Sequence, residues 1–403
     1  MREGWTYKEL GNLCTIKGRI GFRGYTREDL VNEGQGAITL SPSNIIEDKL
    51  DLSKCSFISW FKYEESPEIM VFNGDIIYAK TASIGKVAII DNLPEKATIN
   101  PQFVVLKEIK CDNKYLYYAL RSSFFKEQAS SITRGVAIPT ISQANLSLLK
   151  IPVPSLQEQE RIVAELDLLT EIIDKQKQQL KELDNLAQSI FYDMFGNPVQ
   201  NEKGWKMKPL KKISSLIVNG NTPKGGESVY VSDGIMFFRS QNVWRNRINY
   251  EDVAFIDADT NATMQKSVLH RNDILITKTG RINTENSSLG RAALYEGETG
   301  AANINGHVYL IRLNEGVSHQ FVLRILIGTE YRDYIRSVCV GGIDKRQINK
   351  EHVEEFPIIL PPLELQESFA KKIQAIESQK ESINRSLAES QKLFDYTMDK
   401  YFG

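Results

Sequence analysis

Two loops in this sequence combine lysine, arginine, hydroxyl and amide side chains in a pattern suited to a polyanion. Each loop, YAKTASIGK and ITKTGRINTENSSLGR, places Lys-Thr at the end of a predicted strand, then small polar residues, then glycine with a cation. Cations contact phosphates, whereas arginine, asparagine and hydroxyl groups also hydrogen-bond to base edges. The loops therefore predict nucleic-acid contacts, with a tight β-turn as the alternative. The candidate residues are Lys80, Thr81, Ser83 and Lys86 in the first loop and Lys278, Thr279, Arg281, Asn283, Asn286 and Arg291 in the second.

Basic residues also segregate from acids elsewhere in the chain. No acidic residue interrupts the run Lys17, Arg19, Arg23 and Arg27, and six lysines without an acid span Lys203 to Lys224. Such runs are often only the solvent-exposed faces of a globular protein. The prediction of nucleic-acid binding therefore depends more on the duplicated loops than on these runs. Further candidates for DNA contact are Arg19, Arg23 and Arg134 in the first half of the chain and Gln241, Asn242, Arg245 and Arg247 in the second.

The sequence lacks a recognisable catalytic constellation. KTASIGKV imitates a phosphate-binding loop, but Lys80 stands where the first glycine belongs and Val87 where Ser/Thr must bind magnesium. The tripeptide at Glu108–Lys110 resembles a nuclease fragment that arises easily by chance. Neither loop signature of adenine methyltransferases occurs, and the four histidines have no ligand-like spacing. We predict no catalytic residue, no metal and no cofactor on this chain.

Composition places the chain among globular proteins and predicts its surroundings. The 403 residues include 41% hydrophobic residues, and 50 basic against 51 acidic residues leave a net charge of -1. A nucleic-acid site must therefore arise from local segregation of charge. The four scattered cysteines form no C-x-x-C pair, and the charged N-terminus lacks the apolar stretch of a signal peptide. We expect a soluble cytoplasmic protein with no membrane partner.

The chain contains one pattern twice. GWTYKEL recurs as GWKMKPL at an offset of 200, and Asp75 recurs as Asp273 at an offset of 198. Gly85 with Lys86 matches Gly290 with Arg291 at 205, so the second copy holds seven extra residues within RINTENSSLG. IPVPSLQEQ and IILPPLELQ then match at 207. The offset between the copies changes only within loops, which is typical of a duplicated fold with altered surface segments.

Each copy begins with about 150 residues that alternate short β-rich runs and turns. The same pattern includes two helical stretches, which indicates a mixed α/β globule. The predicted strands of the first copy are 37–40, 75–80, 86–90 and 103–107, and its predicted helices are 114–128 and 143–149.

Each copy ends in a long predicted helix. After a proline pair, the chain runs from Leu156 to Phe195 with no Pro or Gly, and apolar residues recur every four and three positions. The second copy keeps this heptad register with Lys380, Ser390 and Thr397 as polar interruptions. Helices near 58 Å long exceed 150-residue globules of roughly 30 Å, so we expect the two helices to pair.

The predicted fold is therefore α+β, with two similar mixed α/β domains, each followed by a long α-helix. We expect the helices to form an antiparallel coiled coil. The predicted boundaries are 1–155 for the first domain, 156–196 for its helix, 197–204 for a linker, 205–362 for the second domain and 363–403 for its helix.

Taken together, these features resemble the DNA-specificity subunit of type I restriction-modification systems over essentially all 403 residues. The resemblance rests on the duplicated strand and loop around Asp75 and Asp273, the I-P-x-P-x-L-x-x-Q junction, the long helices and the MFGNP…GW passage between copies. The second copy departs at Gly341–Arg346, which replaces Gly135–Thr140, so the two loops need not contact bases alike.

The resemblance implies a non-catalytic subunit whose two globules are target-recognition domains, each binding one half of a bipartite, asymmetric target in double-stranded DNA. It also implies two methylation subunits docked on the helices, which bind S-adenosylmethionine and methylate adenine. Motor-nuclease restriction subunits would complete the restricting complex.

Comparison of the two copies sorts the candidate residues. Positions that both copies share, such as Asn44/Asn242, Lys80/Lys278 and Thr81/Thr279, are expected to serve the fold or contact phosphates. Base contacts are expected where the copies differ, as at Arg281 and its loop. Two other classes stay open: a nuclease with an unrecognised site, which would show magnesium-dependent turnover, and a coiled-coil scaffold without selective DNA binding.

Overall fold

The computed structural model describes residues 4–133, 138–284 and 286–403. They form two compact units. The first unit combines the chain up to Lys177 with Asn384–Gly403, and the second comprises Gln178–Ile383. Each unit therefore contains one globule and a part of both long helices.

The first globule is built on two sheets. A four-stranded antiparallel sheet has Ile76–Ala79 and Phe103–Lys107 at its centre, flanked by Val87–Ile89 and Thr15–Gly18. In the five-stranded sheet, Gly36–Leu40 pairs in parallel with Ala97–Ile99, and the other strands are Leu30–Val31, Ser56–Ser59 and Met70–Val71. Short pairs join Thr6–Glu9 to Lys150–Val153 and Ile45–Ile46 to Lys49–Leu50. The helices are Leu10–Leu13, Trp60–Glu64, Asn113–Arg121, Ser123–Ile132 and Gln143–Ser147.

The central strand Ile76–Ala79 is apolar throughout, as are residues 103–106 of its neighbour, because the core covers both faces of the sheet there. Ile76 and Tyr78 belong to one hydrophobic cluster, whereas Ile77 and Ala79 belong to another. Successive side chains of a strand point to opposite faces, so alternate residues of this strand fill different cores. The uninterrupted apolar run thus fixes the strand in the middle of the globule.

The second globule repeats this design and has one sheet more than the described residues of the first. Its four-stranded sheet contains Ser214–Asn219, Val308–Leu313, Ile274–Thr277 and Ala292–Leu294 in that order, and a three-stranded sheet contains Ala254–Ile256, Ile235–Phe238 and Ala302–Ile304. The additional sheet contains Thr279–Arg281, Lys345–Gln347 and Val340–Gly341, and we call it the extra sheet. Short pairs join Met207–Pro209 to Pro357–Ile359 and Val243–Trp244 to Arg247–Ile248. The helices are Ala258–Ala262, His319–Ile327, Thr329–Val338 and Lys350–Glu354.

The helix predicted over 114–128 is in fact two helices, Asn113–Arg121 and Ser123–Ile132. Ser122 breaks the run because its backbone is extended, with φ -64° and ψ 155°. Its hydroxyl accepts a hydrogen bond from the Phe125 N–H and so caps the second helix. No proline or glycine marks this break in the sequence.

A buried glutamine joins each globule to its long helix. Gln159 donates from Nε2 to the Pro154 carbonyl at 2.9 Å and accepts at Oε1 from the Asp112 N–H at 3.0 Å. Asp112 is the N-cap of Asn113–Arg121, so one side chain connects two helix starts. The same two bonds in the second copy involve Gln366, Pro361 and Ser318. The matched glutamines of the junction motif therefore serve the common fold.

The long helices are Leu156–Phe195 and Leu363–Phe402, each one residue shorter than the predicted span, and they pair antiparallel. In the first unit, Tyr401 near the end of the second helix donates to Glu165 near the start of the first at 2.6 Å. In the second unit, the rings of Phe191 and Phe369 lie 5.5 Å apart. The polar heptad position Lys380 pairs with Asp184 at 2.8 Å. The chain thus forms the predicted coiled coil from opposite ends of its two helices.

Candidate nucleic-acid interface

A buried asparagine shapes the same loop in both globules. Asn242 donates from Nδ2 to the carbonyls of Asn249 and Asp252 and accepts at Oδ1 from the Arg239 N–H. Asn44 makes the corresponding three bonds in the first globule, and both side chains are at most 3% exposed. Asn242 therefore belongs to the fold, which corrects its prediction as a DNA contact.

The first predicted loop lies at the end of Ile76–Ala79. Lys80 is half-buried, and partial burial lowers the pKa of its ammonium group. The following residue, Thr81, forms an antiparallel bridge with Thr140, and Ser83 is half-buried. Lys86 donates from Nζ to the carbonyls of Pro42 and Ile45 at 2.9 and 3.0 Å. Lys86 thus uses two of its hydrogen bonds to stabilise the neighbouring hairpin formed by Ile45–Ile46 and Lys49–Leu50.

The second loop uses the same pairing position and extends it. Thr279 pairs with Gln347, which corresponds to the bridge between Thr81 and Thr140 in the first globule. The pairing continues through Gly280 to Arg281 and creates the extra sheet. The loops that differ in sequence between the copies are therefore attached at a shared point of the fold.

The extra sheet presents charged side chains to solvent. Arg281 is exposed and forms an ion pair with Asp344 at 3.2 Å, whereas Lys278 is half-buried with its ammonium 5.9 Å from the Tyr309 ring centre. Asn283 and Asn286 are exposed in the loop that follows. Their amides are available to base edges, and the guanidinium of Arg281 has the bidentate geometry that suits guanine.

The second loop closes on itself through Arg291. Its guanidinium donates to the carbonyls of Ser287 and Asn286 and lies 4.1 Å from the ring centre of Trp244. Burial lowers the pKa of Arg291. Arg291 therefore orders the loop that contains Asn283 and Asn286, much as Lys86 braces the first loop.

The other candidates lie on nearby loops. Arg245 is exposed at the tip of the hairpin formed by Val243–Trp244 and Arg247–Ile248, and Gln241 is exposed with its amide 2.5 Å from the Asp252 carboxylate. Arg134 lies outside the described residues.

In the first globule, the predicted arginines hold a loop together. Arg19 donates to the carbonyls of Arg23 and Ile99, and burial lowers its pKa. Arg23 donates to the Glu65 carbonyl at 3.1 Å and forms an ion pair with Glu68 at 3.6 Å. Both side chains are half-buried, so they offer DNA only part of their guanidinium surface.

Sequence analysis missed an exposed aromatic pair in the same globule. Trp60 and Phe61 are 40% and 72% exposed at the start of the helix Trp60–Glu64, and Lys96 lies over the Trp60 ring. The second globule has Ala258 and Asp259 at the start of its corresponding helix. Exposed aromatic faces beside cations are suited to stacking on bases. Apolar residues in a short run predict a buried core segment, so the pattern around Trp60 and Phe61 did not indicate a binding surface.

Among residues 4–133, 138–284 and 286–403, no cluster of three or more His, Cys, Asp or Glu side chains has the arrangement of a metal site. In the same part of the chain, the helices lack the combined length and apolar character needed to cross a membrane.

Comparison with known proteins identifies the family. The model of the type I restriction modification DNA specificity domain matches residues 2–185 and, a second time, residues 202–390. The chain therefore belongs to this family, which comprises the non-catalytic specificity subunits of type I restriction-modification systems and determines their DNA sequence specificity. The paired matches confirm that the architecture is duplicated.

Individual relatives span nearly the whole chain. It is 24% identical to the StySPI type I restriction enzyme specificity subunit of Salmonella potsdam, over 96% of this chain and 84% of that protein. The fold is similar to the crystal structure of the S subunit from M. genitalium, with a TM-score of 0.56, 16% identity and coverage of 99% and 96%. A structure from a study of complex assembly in a type I system gives a TM-score of 0.54, with 20% identity and coverage of 100% and 98%.

Proposed function

We propose that this chain recognises a bipartite, asymmetric DNA sequence and directs adenine methylation and restriction by partner subunits. The observation that carries this proposal is the duplication itself: two globules share a framework but differ in the loops attached to it. The second globule has an extra sheet where the described residues of the first, which omit 134–137, show the bridge Thr81–Thr140. Because differing loops present different donors and acceptors, the two globules would select different half-sites.

The positions of the side chains divide the contacts into two groups. Exposed residues that occur in one copy only, namely Arg281, Asn283 and Asn286, are the best candidates for base contacts. The shared lysines Lys80 and Lys278 lie at strand ends and would contact phosphates. Phosphate contacts position a protein on DNA, whereas base contacts determine the sequence.

Repeated exposed leucines on the long helices support docking of two copies of one partner. Leu156 corresponds to Leu363, and Leu186 corresponds to Leu393, each pair at the offset of 207. All four are more than a third exposed, although large apolar residues favour burial. Equivalent apolar positions on two helices would suit two identical methylation subunits, with S-adenosylmethionine bound on those subunits. Motor-nuclease subunits would join the same complex for restriction.

The proposal is tested by producing the chain with its methylation subunit in a host that lacks other adenine methylation and sequencing the modified adenines. We expect one motif made of two short defined sequences separated by a gap of unspecified bases. A host with the methylation subunit alone is the control and should show no such motif. A single contiguous motif, or methylation that does not depend on the chain, would contradict the proposal.

The two alternative functions predict other results. A nuclease would cleave DNA with magnesium when the chain is purified alone. A scaffold would assemble with its partners but would not bind DNA selectively.

A further inference from the structure

An arginine-rich cleft lies in the second globule, and its arginines are not matched at the corresponding described residues of the first globule. Its volume is about 230 Å³, and it lies between the hairpin tip at Arg245, the loop that ends at Arg291, and the helices His319–Ile327 and Thr329–Val338. We call it the arginine cleft. Its polar and aromatic lining comprises Trp244, Arg245, Asn286, Ser287, Arg291 and Arg332.

Positive charge is crowded in and around this cleft. Arg245 is exposed at the hairpin tip, but the surrounding protein partly desolvates it, and this desolvation together with the charges of Arg332, Arg324 and Arg336 lowers its pKa. Within the part of the chain that the structure describes, acids balance the outer arginines only, because Asp184 and Glu377 act on Arg324 and Asp333 pairs with Arg336 at 3.6 Å. The Nε–H of Arg332 is buried and has no hydrogen-bond partner among the described residues. A buried donor without a hydrogen-bond partner costs free energy, and so does repulsion between like charges. An anion in the cleft would accept the hydrogen bond and neutralise the charge, so it would reduce both costs.

The common fold does not require this cluster. The hairpins match at an offset of 198 and the helices at 206, so the first globule can be compared residue by residue. Arg245 is replaced there by Glu47, which pairs with Lys177 of the first long helix. The residues that correspond to Arg324, Arg332 and Arg336 are Tyr118, Lys126 and Ser130. Four arginines of the second globule therefore correspond to one acid, one lysine and two uncharged residues.

The chemistry of the cleft suits a phosphate group. Guanidinium groups donate two parallel hydrogen bonds to phosphate oxygens, and they are less strongly hydrated than ammonium groups. Asn286 and Ser287 of the rim belong to the same loop as the proposed base contact Asn283. A phosphate held here would lie beside the bases that this loop contacts, because phosphate and base contacts are interleaved along a duplex.

We propose that the arginine cleft binds a backbone phosphate of DNA next to the half-site recognised by the second globule. This inference rests on the proposed function. It gives the second globule an electrostatic contact that the corresponding described residues of the first globule do not supply, so binding of the second half-site is the more sensitive to salt.

The test uses Arg332→Gln and Arg245→Gln in the full-length chain assembled with its methylation subunits. Binding to the cognate duplex is measured over a range of salt concentrations. We expect each change to weaken binding about tenfold and to reduce the slope of log K against log salt by about one. Lys126→Gln, at the position that corresponds to Arg332, is the matched control and should leave the slope unchanged. An unchanged slope in both arginine variants would overturn the inference.

Duplexes with single methylphosphonate groups identify the ligand. Neutralising one phosphate beside the second half-site should weaken binding by the wild-type complex and have no further effect on the Arg332→Gln complex. If no position shows this coupling, the cleft does not bind a DNA phosphate. Weakened assembly with the methylation subunits and unchanged DNA binding would instead show that it docks a protein.

Two further measurements separate other causes. The DNA-free Arg332→Gln chain should unfold at the same temperature as wild type or higher, because the change removes like-charge repulsion. A lower unfolding temperature would show that Arg332 stabilises the fold and would overturn the inference. Absence of sequence-selective binding by the wild-type complex would contradict the proposed function itself.

Discussion

The most searching test concerns the long helices as the element that sets the gap between half-sites. The first helix passes from one unit to the other between Lys177 and Gln178, and the second helix passes back between Ile383 and Asn384. Inserting four helix-forming residues at both points lengthens both connections and leaves the helix pairing within each unit intact. The heptad pattern accommodates four residues as a stutter.

The expected effect follows from helix geometry. Four residues add about 6 Å, which corresponds to nearly two base-pair steps of about 3.4 Å. They also rotate the following segment by about 400°, so the net rotation of about 40° is close to one base-pair step of roughly 35°. The translation corresponds to about two base pairs and the rotation to about one. We therefore expect the gap between the half-sites to widen by one or two base pairs while both half-site sequences persist.

The assay is sequencing of methylated adenines in cells that produce the double-insertion variant with its methylation subunit. Four residues inserted after Gln200, in the turn between the first helix and second globule, are the control and should leave the gap unchanged. A double-insertion variant that methylates with the original gap would refute the reasoning and leave the helices as docking surfaces only.

Three other predictions follow from the two globules. Replacing residues 205–360 with the equivalent region of a relative should change one half of the methylated motif only; a change in both halves would contradict separate recognition. Arg281→Ala should cost about 1–3 kcal/mol on the cognate site and relax one base position, whereas Lys278→Ala should weaken all sequences alike and flatten the salt dependence, as titrations would show. Gln366→Leu should lower the free energy of unfolding by roughly 1–3 kcal/mol, because it leaves a buried N–H and carbonyl unpaired. The exposed Gln374→Leu should change it by less than about 0.5 kcal/mol in the same denaturation assay, and equal effects would contradict the role of the junction.

The architecture was predictable because it depends on patterns that extend over many residues, namely the heptad repeat and the internal duplication. A heptad pattern without Pro or Gly located both helices to within one residue at their C-terminal ends, and matched motifs such as the junction glutamines defined the duplication. The break at Ser122 was not predictable, since it depends on how two short helices pack in the globule. Serine is compatible with a helix interior and with a cap, and only tertiary contacts decide between them.

The candidate interface was predictable only where its residues are adjacent in the sequence. Arg281 and its loop form one contiguous segment. Arg245 and Arg332 are far apart in the sequence, and Asp333 follows Arg332, so a search for basic runs misses their convergence. Asn242 shows the opposite error, because a repeated polar residue can serve either a ligand or a loop, and its three internal hydrogen bonds became visible only in the structure.

The composition of the first unit has a consequence for synthesis on the ribosome. Its core contains Leu166 and Ile173 from the first helix together with Phe394 and Met398 from the chain end. The 206 residues of Gln178–Ile383 separate these two segments. At about 5–20 residues per second, they take roughly 10 to 40 s to translate. During that time, the first helix packs on its own globule but lacks Phe394 and Met398, so part of its apolar stripe is a binding surface for chaperones. Any product truncated before Asn384 exposes that part permanently.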